Sequence, residues 1–167
     1  MARSLFVPIS LAAALTLAGC ASSTPEATST EDSSCAGVQL LVDYADLGPA
    51  PVDECVSVSG STSAADVLAA AGLSTEGTAD YGDAIVCRVS GKPAATDIIA
   101  TTSGDYSETC ATMPSADAYW SLWVKRGGAW DYAQVGFNEL QLAPGEGLAL
   151  SFNVNNTATA PSNSSGQ

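Results

Sequence analysis

Four of the five cysteines, a cluster of five aromatic residues and a complete absence of histidine define the chemistry open to this chain of 167 residues. Without histidine there is no ordinary general base near neutral pH, no Ser–His or Cys–His nucleophile pair, and the commonest zinc ligand is missing. Cys35, Cys55, Cys87 and Cys110 include no CxxC pair, which argues against a thiolate zinc site. Asp43 with Asp46, and Asp80 with Asp83, have the residue type for acid–base work. Both pairs lie beside turn-forming residues, where aspartate commonly solvates or caps. With no metal motif and no phosphate-cradling glycine loop, the expectation is a protein that is not an enzyme, with no catalytic residue, no metal and no cofactor.

The aromatic cluster is the feature suited to binding. Tyr119, Trp120, Trp123, Trp130 and Tyr132 fall on two strand-like segments joined by Arg126-Gly127-Gly128, so a hairpin would gather them. Strand alternation puts Tyr119, Ser121 and Trp123 on one face and Trp120, Leu122 and Val124 on the other. The second set is the more apolar and is expected to face the core. Tyr119 and Trp123 then need either a covering loop, with the segment between Cys87 and Cys110 as candidate, or a ligand.

The elements that must carry these residues are mostly strands. Apolar runs bounded by turn residues predict strands over 38–44, 56–59, 85–89, 119–125, 130–132 and 148–154. One helix stands out: Ser63 can cap it, Asp66 sits near the positive end of its dipole, and Ala64, Val67, Leu68 and Ala71 share a face before Gly72 stops it. The expected fold class is α+β, a β-grasp-like mixed sheet with one short helix, stapled by two disulfides.

Processing and compartment are written near the N-terminus. Arg3 supplies a basic start, 5–17 is almost wholly apolar, and Leu17-Ala18-Gly19-Cys20 resembles the lipobox of bacterial lipoproteins. The apolar run is shorter than the ~20 residues that span a bilayer. Residues 1–19 are therefore expected to be a cleaved signal, with Cys20 acylated and holding the chain at the extracytoplasmic face of the cell membrane. The other four cysteines then meet an oxidising compartment and read as disulfides. Of the three possible connectivities, neighbour pairing (Cys35 with Cys55, Cys87 with Cys110) is expected. Each bridge would close a loop of about twenty residues, contributing ~3 kcal/mol in the chain-entropy account.

Residues 20–34 are Ser, Thr, Pro and acid-rich with no aliphatic larger than alanine, the composition of a disordered tether. Residues 155–167, rich in Asn, Ser, Thr and Ala, read as a disordered tail. Between them 35–154 suits one domain. The formal charge is −13, and −14 once Arg3 is lost with the signal. Nucleic acid is excluded as a partner, because there is no basic stripe to release its counterions.

The order of motifs completes the reading. A cysteine-bearing strand, Ser61-Thr62-Ser63-Ala64-Ala65-Asp66-Val67-Leu68, Val86-Cys87-Arg88-Val89-Ser90-Gly91, Cys110, Pro114, Ala118-Tyr119-Trp120-Ser121-Leu122-Trp123, Trp130-Asp131-Tyr132 and Pro144-Gly145-Glu146-Gly147 together resemble the transcobalamin-like C-terminal domain family. The resemblance implies a β-grasp-like domain of exported proteins. In the animal vitamin carriers that domain closes over cobalamin, with Tyr119, Trp120, Trp123, Trp130 and Tyr132 at the matching aromatic positions. The large helical barrel that completes the carriers' site is not present here. The functional expectation is a membrane-anchored binding lipoprotein for a small molecule such as a corrinoid. Two alternatives stand beside it: an adaptor docking on a transporter or another envelope protein, and a protease inhibitor presenting Cys110-Ala111-Thr112-Met113-Pro114.

Overall fold

The computed structural model describes residues 35–162. The expected signal, the lipidated Cys20 and the tether lie outside the described residues, as do 163–167. Eleven strands and one helix follow in order: β1 (Val38–Asp43), β2 (Val52–Val56), β3 (Thr62–Ser63), α1 (Ala64–Ala70), β4 (Thr75–Thr78), β5 (Gly82–Val89), β6 (Ile99–Thr101), β7 (Gly104–Tyr106), β8 (Ala118–Arg126), β9 (Ala129–Tyr132), β10 (Gln141–Leu142) and β11 (Gly147–Val154). The main sheet is mixed, ordered β2-β1-β11-β8-β9, and its central pair β1–β11 is parallel. The pairs β4–β5, β6–β7 and β3–β10 are separate small antiparallel ribbons.

One face of the sheet carries the main core. Val38, Leu40 and Val42 of β1, Leu148, Leu150 and Phe152 of β11, and Trp120 and Val124 of β8 pack with Ala64, Val67 and Leu68 of α1. Trp120 meets Tyr44 and Phe152 edge-on, with centroids 5.4 and 5.3 Å away, and its indole N–H donates to Lys92 O at 3.1 Å. The helix forms where its end signals say it should: Asp66 N–H donates to Ser63 Oγ at 3.1 Å, and Gly72 takes φ +73° just beyond the C-cap. Cys35–Cys55 and Cys87–Cys110 are the bridged pairs, with Cα–Cα distances of 5.5 and 5.6 Å. The first ties the chain ahead of β1 to β2; the second ties β5 to the segment after β7.

Two expectations need correction. The strand expected over 56–59 is displaced to Val52–Val56. It is an edge strand, so Asp53 and Glu54 sit in it with one side in water and hide its alternation. The segment between Cys87 and Cys110 does not cover Trp123: through Lys92 O it caps Trp120, on the core face. What packs over the opposite face is the chain beyond β11. Asn155 and Asn156 take φ of +58° and +55°, a reversal that asparagine tolerates, and Ala158 packs on the cluster of Trp123, Trp130 and Ala149. Asn155 is itself held, its N–H donating to Asp117 O at 2.8 Å and its Oδ1 accepting from Thr102 N–H at 2.7 Å. Residues 155–162 of the expected tail thus carry defined contacts.

Candidate binding groove

The β8–β9 hairpin closes on Gly127 and Gly128, both at positive φ (+59° and +86°), with Arg126 opposite Ala129. That geometry suits a two-residue turn matching strand twist, and glycine adopts it at both positions without steric cost. It sets Tyr132 directly across from Trp123, their rings stacked at 3.9 Å between centroids and 22° between planes. Trp130, nearer the turn on β9, lies over Gly147, where a Cβ would come 2.7 Å from the indole. Lys125 Nζ lies 5.8 Å from the same ring.

Alternation along β8 decides which aromatics can meet a ligand. Trp120 faces the core as expected, and Trp123 and Trp130 lie on the reverse face. Trp123 is nonetheless only 5% exposed, covered by Tyr132 and anchored by an indole N–H···Ser121 Oγ bond of 2.8 Å. Asn153 Nδ2 donates to the same Ser121 oxygen at 2.7 Å, which stiffens this polar patch. Trp130 is buried, and its indole nitrogen has no hydrogen-bond partner among the described residues. Of the five aromatics singled out in the sequence, Tyr132 at 45% exposed and the half-buried Tyr119 offer the most surface. Burial, followed by a hydrogen bond to Tyr119 and the Tyr119 charge, pushes the Tyr132 phenol above the usual tyrosine range.

Tyr119 and Tyr132 share a groove of about 400 Å³. One wall is 119–122 of β8 and the other is 84–86 of β5; the loop 132–137 closes one side and Leu150 contributes from β11. The loop leaves the hairpin at Ala133, whose N–H still reaches Leu122 O at 3.0 Å, and crosses to β5 at Gly136. A Cβ on Gly136 would sit 3.1 Å from that of Ala84, so a larger residue there would press on the β5 wall, which would have to give by a few tenths of an ångström. Phe137 then plugs into the core. None of the lining residues is charged, although the chain carries −13. Gln134, Val135 and 84–86 are members that sequence reasoning did not supply: they come from two chain segments that only the tertiary fold brings against β8.

A larger cavity, about 580 Å³, lies between β1, β2 and the terminal segment, with Asp43 and Asp53 in its lining. No hairpin aromatic borders it, and 157–162 form part of its wall, so the smaller groove matches the aromatic positions better. Cys87, Cys110 and the buried Glu108 bring three metal-ligand atoms within 4.8 Å of one another, but the two sulfurs are joined to each other and Glu108 is committed. Its carboxylate accepts from Cys110 N–H at 2.7 Å and Tyr106 O–H at 2.6 Å. Among the described residues no helix is long and apolar enough to cross a membrane. No protein-family model, curated protein or solved structure matches the chain.

Proposed function

We propose that this chain is a membrane-anchored, extracytoplasmic binding lipoprotein whose β-grasp-like domain captures, in the groove between β5 and β8, a ligand that presents an uncharged surface there. The observation that carries the proposal is an uncharged groove rimmed by Tyr119, Tyr132 and Val135 in a strongly acidic chain. Its volume of about 400 Å³ falls in the range of small-molecule sites. The β-grasp assignment draws support from the parallel β1–β11 pair at the sheet centre, with α1 packed on one face after β2. Membrane attachment rests on the Leu17-Ala18-Gly19-Cys20 motif.

A corrinoid is the first ligand to try, on the family resemblance. A groove this small would hold part of such a molecule, with Tyr132 and Tyr119 against its edge. Tryptophan fluorescence of the full chain in detergent, titrated with corrinoids and a vitamin panel and checked by calorimetry, tests the reading. Saturable binding that is lost on Tyr132→Ala supports it. Silence across the panel moves the proposal to the adaptor reading, which the exposed rim residues Tyr132 and Val135, each 45% exposed, also favour.

A further inference from the structure

We propose that the partner fitting this groove is an extended peptide segment of another protein, uncharged along its centre and flanked by basic residues, which adds as a strand to the open edge of β8. The inference rests on the groove being the binding site and names its occupant.

The open edge follows from register. β9 pairs with Trp123–Arg126 only, and Ala133 N–H satisfies Leu122 O. In an antiparallel strand the N–H and C=O groups of successive residues point alternately to the two neighbours. Trp120, two positions before Leu122, therefore directs its N–H and C=O to the same side as Leu122, away from β11. Among the described residues no strand pairs there. The extended stretch 84–86 of β5 faces that edge across the groove, so the space is a slot between two extended walls. A peptide strand would satisfy the backbone groups of Trp120 while its alternate side chains meet Tyr119, Tyr132 and Val135.

Charge selects the kind of segment. The slot itself is uncharged, while the exposed Asp83, Asp131 and Glu139 lie within two residues of its lining segments in the chain. The nearby cations on the β5 side are already committed, Arg88 to Glu76 at 2.7 Å and Lys92 to Asp97 at 3.1 Å. A neutral centre therefore suits the slot and basic flanks suit its acidic surroundings.

The test uses the full chain in detergent and a fluorescein-labelled peptide pool in which a central run drawn from Val, Thr, Ala and Ser is bracketed by lysines. Anisotropy should rise saturably with protein. A second pool, N-methylated at alternate central amides but otherwise identical, should bind at least about tenfold more weakly. Val135→Arg, a change at an exposed position, should weaken the first pool by a similar factor and leave the thermal midpoint unchanged. A flat titration, or equal binding of the N-methylated pool, overturns the proposal. Corrinoid and vitamin titrations run in parallel separate the two ideas. If a small molecule binds, is lost on Val135→Arg, and the peptides stay silent, the groove remains the site and the peptide occupant is wrong; if neither binds, both fall.

Discussion

Trp123 and Tyr132 lie directly opposite each other on β8 and β9 and stack with their ring centroids 3.9 Å apart. The half-exposed tyrosine is thus both the lid over a buried tryptophan and part of the groove rim. Stacked pairs contribute ~0.5–1.5 kcal/mol beyond their area burial. Tyr132→Ala is expected to lower unfolding free energy by about 1–2 kcal/mol and to shift tryptophan emission to the red. Tyr132→Phe should keep both near wild type, and urea melts followed by emission check the pair.

The same phenol gives a pH prediction. Burial first, then the hydrogen bond to Tyr119, holds Tyr132 in its neutral form above the usual tyrosine range. A folded-state value above the unfolded one means that its contribution is fully present below about pH 10 and is lost as pH rises through the folded value. Alkaline absorbance titration should show Tyr132 ionising late, and Tyr119→Phe should bring it closer to an ordinary tyrosine. An unchanged curve in that variant would contradict the assignment.

Arg88 should matter more for stability than its ion pair suggests. Its partner Glu76 is largely exposed, so that bond contributes little. The guanidinium also donates to Pro93 O at 2.7 Å and to Glu108 O at 2.8 Å, both away from solvent, and so ties β5 to two separate loops. Arg88→Met removes the donors from those two carbonyls and is expected to cost about 2–4 kcal/mol, whereas Glu76→Gln should cost under about 1 kcal/mol. Thermal melts of the two variants decide whether the backbone bonds or the ion pair dominate.

The two bridges close loops with sequence separations of 20 and 23. Non-reducing peptide mapping should return Cys35 with Cys55 and Cys87 with Cys110. Removing either pair by double Ser substitution should cost about 3 kcal/mol. The second loss should in addition perturb the groove, because Cys87 follows the wall segment 84–86 directly.

Much of this architecture was legible in the residues, and for identifiable reasons. Apolar runs in β1, β5, β8 and β11, the Ser63 cap with its Gly72 stop, and the paired glycines of the β8–β9 turn each declare themselves locally. The aromatic alternation also placed Trp120 towards the core. Three kinds of feature did not declare themselves. β2 carries acids because it is an edge strand. β3, β6, β7 and β10 are two or three residues long, too short for any period to emerge. The third kind concerns cover: Tyr132 and Ala158 shield Trp123, and both contacts depend on chain reversals at Gly127-Gly128 and Asn155-Asn156 whose consequences are tertiary. For the groove, two tyrosines were visible in the sequence, while Val135 and the β5 wall belong to segments distant in the chain.

The most direct test of the central claim is a fluorescence titration of the full chain against corrinoids, the vitamin panel and the lysine-bracketed peptide pool, run on wild type, Val135→Arg and Asp53→Lys. Wild type and Asp53→Lys, which alters only the other cavity, should bind at least one of these probes saturably, and Val135→Arg should lose that binding. Binding that survives Val135→Arg but disappears in Asp53→Lys would place the site behind the sheet and contradict it.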